Sequence, residues 1–227
     1  MASEPDFSSI ARVIGEPARA RMLYALLGGR ALPATDLART AEVAPSTASV
    51  HLSQLIGAGL VTVERQGRHR YHRLAGPHVA GAVEALAALA PMRPIHGLRA
   101  VDRVDAERAA RSCYDHLAGT FGVAVTDRLC AIGALDPADL SLLDPAPFVA
   151  LGVAIPATAP RRRPLTRACL DWSERRPHLA GALGAAVLQT FLDRQWLTRR
   201  PTGRALAVTD AGRLALGDIL ALDVDAR

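Results

Sequence analysis

The run Ala44-Pro45-Ser46-Thr47-Ala48-Ser49-Val50-His51-Leu52-Ser53-Gln54-Leu55-Ile56-Gly57-Ala58-Gly59-Leu60-Val61 constrains the fold more than any other stretch. Pro45 suits the first turn of a helix, and Gly57 with Gly59 is a stop signal. Val50, Leu52, Leu55 and Ile56 include the three-to-four spacing of an apolar stripe. Ser46, Thr47, Ser49, His51, Ser53 and Gln54 leave the other side short, polar and uncharged. Alone, this is either an ordinary amphipathic helix or one suited to a DNA major groove. In a groove, small side chains permit close approach, the helix N-terminus can meet phosphate, and Ser, Thr and Gln can read base edges.

The neighbouring residues favour the second reading. Upstream, Pro33-Ala34-Thr35-Asp36-Leu37-Ala38-Arg39-Thr40 forms another short helix, joined by the tight link Ala41-Glu42-Val43-Ala44. That is helix-turn-helix spacing. Downstream, Leu60-Val61-Thr62-Val63 and His69-Arg70-Tyr71-His72-Arg73-Leu74 alternate like paired strands. Between them, Glu64-Arg65-Gln66-Gly67-Arg68 makes a turn that carries arginines, the outline of a wing. From Pro45 to Ala75 the only acid is Glu64, against Arg65, Arg68, Arg70 and Arg73. The expected groove residues are Ser46, Thr47, Ser49, His51 and Gln54, with Arg65, Arg68 and Arg70 on phosphate or in the minor groove.

Three segments together resemble the ArsR/SmtB-type bacterial repressors: Gly15-Glu16-Pro17-Ala18-Arg19-Ala20-Arg21-Met22-Leu23, Ser46 to Leu55, and Ala58-Gly59-Leu60-Val61. The resemblance covers about Phe7 to Ala90. It implies a homodimeric DNA-binding regulator whose first and last domain helices form the dimer interface. The last of these is expected over His78 to Ala90, with Val79, Val83, Leu86 and Leu89 on one side. Two metal sites known in such repressors have no counterpart here. Pro33 to Ala44 contains no Cys, and Gly76-Pro77-His78 lacks the Asp-x-His start, with no further His before His96.

Over the whole chain of 227 residues the net charge is +5, in keeping with a polyanionic partner. All 27 basic residues are Arg, a bias that together with the abundant Ala suggests a G+C-rich genome rather than selection at each position. The three cysteines (113, 130 and 169) suit a reducing cytosol better than a disulfide framework. With no apolar run of membrane-spanning length and an acidic N-terminus, a cytoplasmic location is expected. Neither a glycine-rich phosphate loop nor a serine-nucleophile elbow is present, so an enzyme is not expected.

Pro91-Met92-Arg93-Pro94 marks an expected boundary between a DNA-binding and dimerisation domain (1–92) and an effector or dimer-stabilising domain (93–227). The expected class is mainly α with small β-hairpin wings. In the second domain Val101 to Gly119 looks helical, Phe148 to Ile155 and Leu165 to Leu170 look like strands, and Arg161-Arg162-Arg163 falls in a loop. Phe191 to Gly212 has the outline of the wing end of a second winged-helix fold: strand, Pro-Thr-Gly turn, strand, and a helix capped by Thr209.

The second domain also contains an internal repeat. His116-Leu117-Ala118-Gly119-Thr120-Phe121-Gly122-Val123-Ala124-Val125 recurs as His178-Leu179-Ala180-Gly181-Ala182-Leu183-Gly184-Ala185-Ala186-Val187, with seven of ten positions identical. Arg111-Ser112-Cys113-Tyr114-Asp115 precedes the first copy, and Arg167-Ala168-Cys169-Leu170-Asp171 the second. The repeats are expected as helices that pack together, with the glycines permitting close backbone approach. Cys113, Tyr114, Asp115, His116, Cys169, Asp171, Trp172, Glu174 and His178 are the candidate effector residues. Four readings stay open: a Cys₂His₂ metal site at Cys113, His116, Cys169 and His178; a thiol switch; an organic-ligand pocket lined by Tyr114, His116, Trp172 and His178; and plain core. No cofactor is required by any motif. The competing function is an architectural DNA-binding protein with a structural C-terminal half and no switching.

Overall fold

Caps and prolines set where the first helices begin. In the computed structural model, which describes residues 4–156 and 163–223, α1 (Phe7–Ile14) starts where Asp6 accepts the Ser9 N–H. α2 (Pro17–Leu26) starts at Pro17, with the Glu16 carboxylate accepting the Arg19 N–H at 2.9 Å. After β1 (Leu32–Pro33) come α3 (Ala34–Ala41) and α4 (Pro45–Gly57), turned by Glu42 in the left-handed region at φ 59°. Met22, Leu23 and Leu26 of α2, Leu37 and Ala41 of α3, and Ala48, Leu52 and Leu55 of α4 are buried. The inward stripe of α4 therefore runs through Ala48, and Val50, expected on it, is 58% exposed.

β2 (Val61–Gln66) and β3 (His69–Leu74) pair antiparallel in a three-stranded sheet ordered β1-β3-β2. Gln66 pairs with His69, so Gly67 and Arg68 form a two-residue turn, with Gly67 at φ 58°. The strands thus extend three residues further into the arginine-bearing segment than the apolar alternation marks. α5 (Pro77–Leu89) follows. The chain divides into two compact units, the first ending at Glu84 and the second beginning at Ala85. Within the second unit, Arg175 donates to the Ala88 carbonyl at 2.6 Å.

In the second unit the elements are α6 (Leu98–Ala109), β4 (Arg111–Cys113), β5 (His116–Ala118), α7 (Gly119–Ala131), α8 (Ala146–Ala150), β6 (Arg167–Leu170), β7 (Pro177–Ala180), α9 (Gly181–Asp193), β8 (Leu197–Arg199), β9 (Leu206–Val208) and α10 (Asp210–Leu220). Several differ from the sequence reading. The helix expected over Val101 to Gly119 ends at Ala109. Each His-Leu-Ala is a strand, and its helix begins only at the following Gly. Phe148, expected in a strand, lies in the short α8 with its ring fully buried while Val149 points outward. An unbroken apolar run has no period that separates strand from helix. Arg161 and Arg162 lie outside the described residues, whereas Arg163 is described.

The repeat is a hairpin followed by a 13-residue helix, formed twice with one register. Arg111 pairs with Ala118, Ser112 with Leu117 and Cys113 with His116; Arg167 pairs with Ala180, Ala168 with Leu179 and Cys169 with His178. The two copies interlock: β5 lies against β7, α7 packs on β7, and α9 packs on β5. The glycines serve close approach to neighbouring backbone: Gly122, Gly181 and Gly184 to strand and loop, and Gly119 to the C-terminal end of α6, where a Cβ would sit 2.5 Å from the Arg108 carbonyl oxygen. Gly181 stands at φ 85°, and a Cβ there would sit 2.6 Å from the Leu165 carbonyl oxygen. A Cβ on Gly184 would sit 2.5 Å from that of Leu179.

β8 and β9 form the expected hairpin, and Thr209 caps α10 by accepting the Gly212 N–H at 3.0 Å. β4 joins this hairpin: Ser112 donates to the Arg204 carbonyl and Leu206 to that of Ala110, around the Arg111–Ala205 bridge. A short strand beside the second wing strand, and a helix leading into the hairpin, repeat the order seen in the first unit. The core gathers Phe121, Leu129, Leu135, Phe148, Leu183, Phe191 and Leu216. Among the described residues no helix is long and apolar enough to cross a membrane.

Candidate nucleic-acid interface and a buried cysteine–histidine cluster

α4 presents its N-terminal half outward. Ser46, Thr47 and Ser49 are exposed, as is Val50. No side chain caps the helix at Ala44, and its first residue, Pro45, has no N–H to satisfy. The free amides of the first turn are thus left for an outside acceptor. Two hydroxyls are partly engaged by the helix itself: Ser49 donates to the Pro45 carbonyl and Ser53 to that of Ser49.

The other two expected groove residues are tied to α2. His51 is only partly exposed; its Nδ1 lies 3.5 Å from the Glu16 carboxylate and 3.5 Å from the Arg19 guanidinium. Arg19 also donates to the Gln54 side-chain oxygen and to the Arg12 and Val13 carbonyls. Arg19 therefore ties α4 to α2 and to the end of α1. Sequence reasoning missed both this role and the outward position of Val50, whose apolar side chain suits a thymine methyl. The helical angle would have revealed Val50, since it lies two residues from both Ala48 and Leu52.

Arg65 and Arg70 are direct cross-strand partners on the wing, both exposed, and Arg68 stands at its tip. Like charges directly opposite each other on a strand pair are destabilising unless an anion is near. Arg73 differs, pairing with Glu64 at 3.0 Å.

The second site is internal. One donor atom from each of Cys113, His116, Cys169 and His178 lies within 4.8 Å of the others, and all four residues are buried. Each hairpin supplies one Cys and the His directly across from it, and the two imidazoles stack at 5.1 Å between centroids. The spacing of three between Cys113 and His116, expected along a helix face, is instead the spacing across a two-residue turn. Tyr114 (φ 60°) and Asp115 form that turn.

An Asp stands beside each His. Asp115 Oδ1 lies 3.4 Å from His116 Nδ1, and Asp171 Oδ2 lies 3.7 Å from His178 Nδ1. Both carboxylates are fixed. Arg163 donates to Asp115 at 2.6 and 2.9 Å; Arg111 donates to Asp171 at 2.7 Å, as does the Gly119 N–H. Burial alone would raise the Asp171 carboxyl, but the Arg111 charge and these hydrogen bonds hold it far below the usual range. For Asp115, burial is likewise outweighed by the His116 ring and Arg163, and its carboxyl is lowered. The Cys113 thiol beside it, outweighing burial and joined by the two imidazoles, draws Cys169 well down toward thiolate. Burial pushes His178 down, toward its neutral form.

Trp172 and Glu174 belong to the β6–β7 loop and brace it. The Arg111 guanidinium lies over the Trp172 ring at 4.8 Å, and Glu174 accepts from the Thr120 hydroxyl at 2.8 Å. A ligand-sized cavity of about 680 Å³ lies elsewhere in this unit, lined by residues such as Arg108, Thr120, Phe121, Arg200 and Arg213 and by none of Tyr114, His116, Trp172 and His178. Cys130, the third cysteine, lies on α7 outside the cluster.

Comparison with known proteins bears on the family of the chain. Residues 14–64 match the family model described as a helix-turn-helix domain. The chain is 39% identical over 215 residues to the uncharacterised HTH-type transcriptional regulator YdfF of Bacillus subtilis, spanning 93% of this chain and 95% of that protein. It is 37% identical over 83 residues to the HTH-type transcriptional regulator CmtR of Mycobacterium tuberculosis, spanning 37% of this chain and 70% of CmtR. Among solved structures, a homodimeric winged helix-turn-helix DNA-binding domain, Mb0332 of Mycobacterium bovis, titled a possible ArsR-family transcriptional regulator, is 25% identical. It covers 43% of this chain and 100% of that chain, with a TM-score of 0.34. With a relative of this identity matched over nearly its full length, and with the motifs of the first unit, the chain belongs to the ArsR-type winged helix-turn-helix transcriptional regulators.

Proposed function

We propose that this regulator is a cytoplasmic homodimeric repressor that binds a near-palindromic operator and is released by an effector acting on its second unit. The α4 helices of the two protomers enter successive major grooves, and the wings lie on the flanking backbone. The observation that carries this reading is the Arg65–Arg70 cross-strand pair beside the uncapped, small-residue end of α4. Ser46, Thr47 and Val50 face the bases; Arg65, Arg68 and Arg70 face phosphate or minor groove. His51 and Gln54 act mainly by holding α4 through Glu16 and Arg19.

Self-association runs through exposed apolar residues of α1 and α5, among them Phe7 (78% exposed), Leu86 (47%) and Leu89 (82%). The second unit is regulatory rather than catalytic in this reading. Selection of bound sequences from random duplexes, followed by binding titrations at several salt concentrations, tests it. A repressor of this kind selects a two-fold symmetric site and shows a steep salt slope. Binding without sequence preference, insensitive to every effector tried, would support an architectural protein instead.

A further inference from the structure

We propose that Cys113, His116, Cys169 and His178 form a closed tetrahedral site for a thiophilic divalent cation, zinc in the ordinary case, that ties the two repeats of the second unit together. The inference stands independently of DNA binding.

The donor set comes first. Two cysteine sulfurs and two imidazoles are the ligands of structural zinc, and this mixture favours such an ion over magnesium or calcium. Distances agree. With zinc–sulfur bonds of about 2.3 Å and zinc–nitrogen bonds of about 2.0 Å, donor atoms in a tetrahedron sit about 3.3 to 3.8 Å apart. Here the four lie within 4.8 Å of one another, so closure needs shifts on the order of 1 Å, within reach of small side-chain rotations.

The surroundings point the same way. Among the described residues, neither ring nitrogen of His178 makes a hydrogen bond of normal geometry, although the residue is fully buried. Buried polar atoms in native proteins are nearly always satisfied, and an orphan calls for an unseen partner. A carboxylate stands at the Nδ1 side of each imidazole, Asp115 for His116 and Asp171 for His178. Carboxylate–histidine–metal relays have this arrangement; they orient the ring and leave Nε2 to the metal. The two Asp occupy equivalent places in the two repeats, as do the two Cys and the two His.

Topology explains why the site needs both copies. A cross-strand pair brings one Cys and one His together within each hairpin, which is half of a tetrahedron. The packing of β5 against β7 joins the halves. All four positions are supplied by protein and closed from solvent, so the ion serves to hold the unit rather than to meet a substrate.

The test uses the full chain, purified under reducing conditions without chelator, with metal content measured by mass spectrometry and Co²⁺ as a spectroscopic probe. Expected are one zinc per chain and, after exchange, a cobalt spectrum with thiolate charge-transfer bands and tetrahedral d–d intensity. Chelation of the wild-type protein should lower its thermal midpoint, and added zinc should restore it. Cys113→Ser with Cys169→Ser should abolish binding, while Cys130→Ser should keep one equivalent. If the double variant does not fold, the wild-type cobalt spectrum and the reversal by zinc decide alone. The proposal is overturned if reduced wild-type protein takes up neither ion, if the cobalt spectrum lacks sulfur charge transfer, if a folded double variant keeps its metal, or if the two cysteines are isolated as a disulfide that cannot be replaced by metal.

Discussion

Arg111 and Asp171 form an ion pair at 2.7 Å with both side chains fully excluded from solvent. The pair joins the first repeat to the second, and a mirrored tie runs from Asp115 of the first repeat to Arg163, just ahead of the second. The members of the buried pair are not equal. Without Arg111, Asp171 still accepts from Gly119, Ser173 and Glu174. Without Asp171, Arg111 keeps the Glu107 carbonyl, the Ser173 hydroxyl and the face of the Trp172 ring, none of which neutralises its charge. Asp171→Ala should therefore cost about 3–5 kcal/mol, the range for an orphaned buried charge, and Arg111→Met should cost less. Urea denaturation measures both; a loss under about 1 kcal/mol for Asp171→Ala would contradict this account.

Gly184→Ala should destabilise the second unit chiefly through a backbone clash, although the added methyl also comes within 3.3 Å of the His116 Cβ. The added methyl meets the Leu179 carbonyl oxygen at 2.5 Å, and that strand is pinned by Leu179 donating to the Thr126 hydroxyl. Gly181→Ala adds a left-handed φ of 85° to a similar clash. Each should cost at least about 2 kcal/mol. Gly133→Ala, also at positive φ (76°) but with open space around it, isolates the conformational part and should cost less. Thermal midpoints of the three variants give the ranking.

Most of the first unit is legible in the sequence because its signals are local. Pro45, the polar and apolar sides of α4, and the strand alternation around Gly67 each act within a few residues. Val50 points outward because Ala48 takes the inward place, which a stripe of large apolar residues does not reveal. In the second unit the important residues are legible and their geometry is not. The repeat singles out Cys113, His116, Cys169 and His178, but its Ala residues favour helix, its Gly residues oppose it, and neither shows a period that separates helix from strand. His-Leu-Ala is extended because tertiary contacts with the other copy decide it. The short α8 is not legible for a related reason: the core, not local pattern, fixes where Phe148 goes.

Leu89→Glu and Leu86→Glu should shift the protein toward monomer. Both side chains are exposed in the single chain, so a charge there costs the fold little, and it would be buried only in an α5 interface. Sedimentation should show a dissociation constant raised by at least about tenfold, with an unchanged thermal midpoint at concentrations where both proteins are monomeric. An intact dimer for both variants would move the interface into the second unit.

On DNA, Thr47→Ala and Arg68→Ala should fail in different ways. Thr47 faces outward on the first turns of α4, where loss of a base contact lowers discrimination by about 1–3 kcal/mol at most. Arg68 is at the exposed wing turn, and its removal should weaken all sequences alike and reduce the salt slope by about 1. Gln54→Ala, whose amide is held by Arg19, should act on helix placement and thus lower specific and non-specific binding together. An Arg68 variant with a new base preference and an unchanged salt slope would contradict this division.

Asp115→Asn separates metal affinity from folding. Asp115 is the more exposed of the two carboxylates, and its partner Arg163 can reach water when the pair is broken, so little stability rests on it. Its oxygen nonetheless stands 3.4 Å from His116 Nδ1, where a carboxylate fixes the tautomer and raises the basicity of the nitrogen across the ring. An amide of the same shape keeps the packing and loses the charge. Zinc affinity, measured by competition with a chelating indicator, should fall by about 10–100-fold. The metal-free thermal midpoint should remain within a few degrees of wild type. His116→Gln, by contrast, removes a ligand outright and should lower affinity further at a similar metal-free stability. Equal zinc affinity for Asp115→Asn and wild type would remove Asp115 from the relay, and equal affinity for His116→Gln would remove the ring from the site.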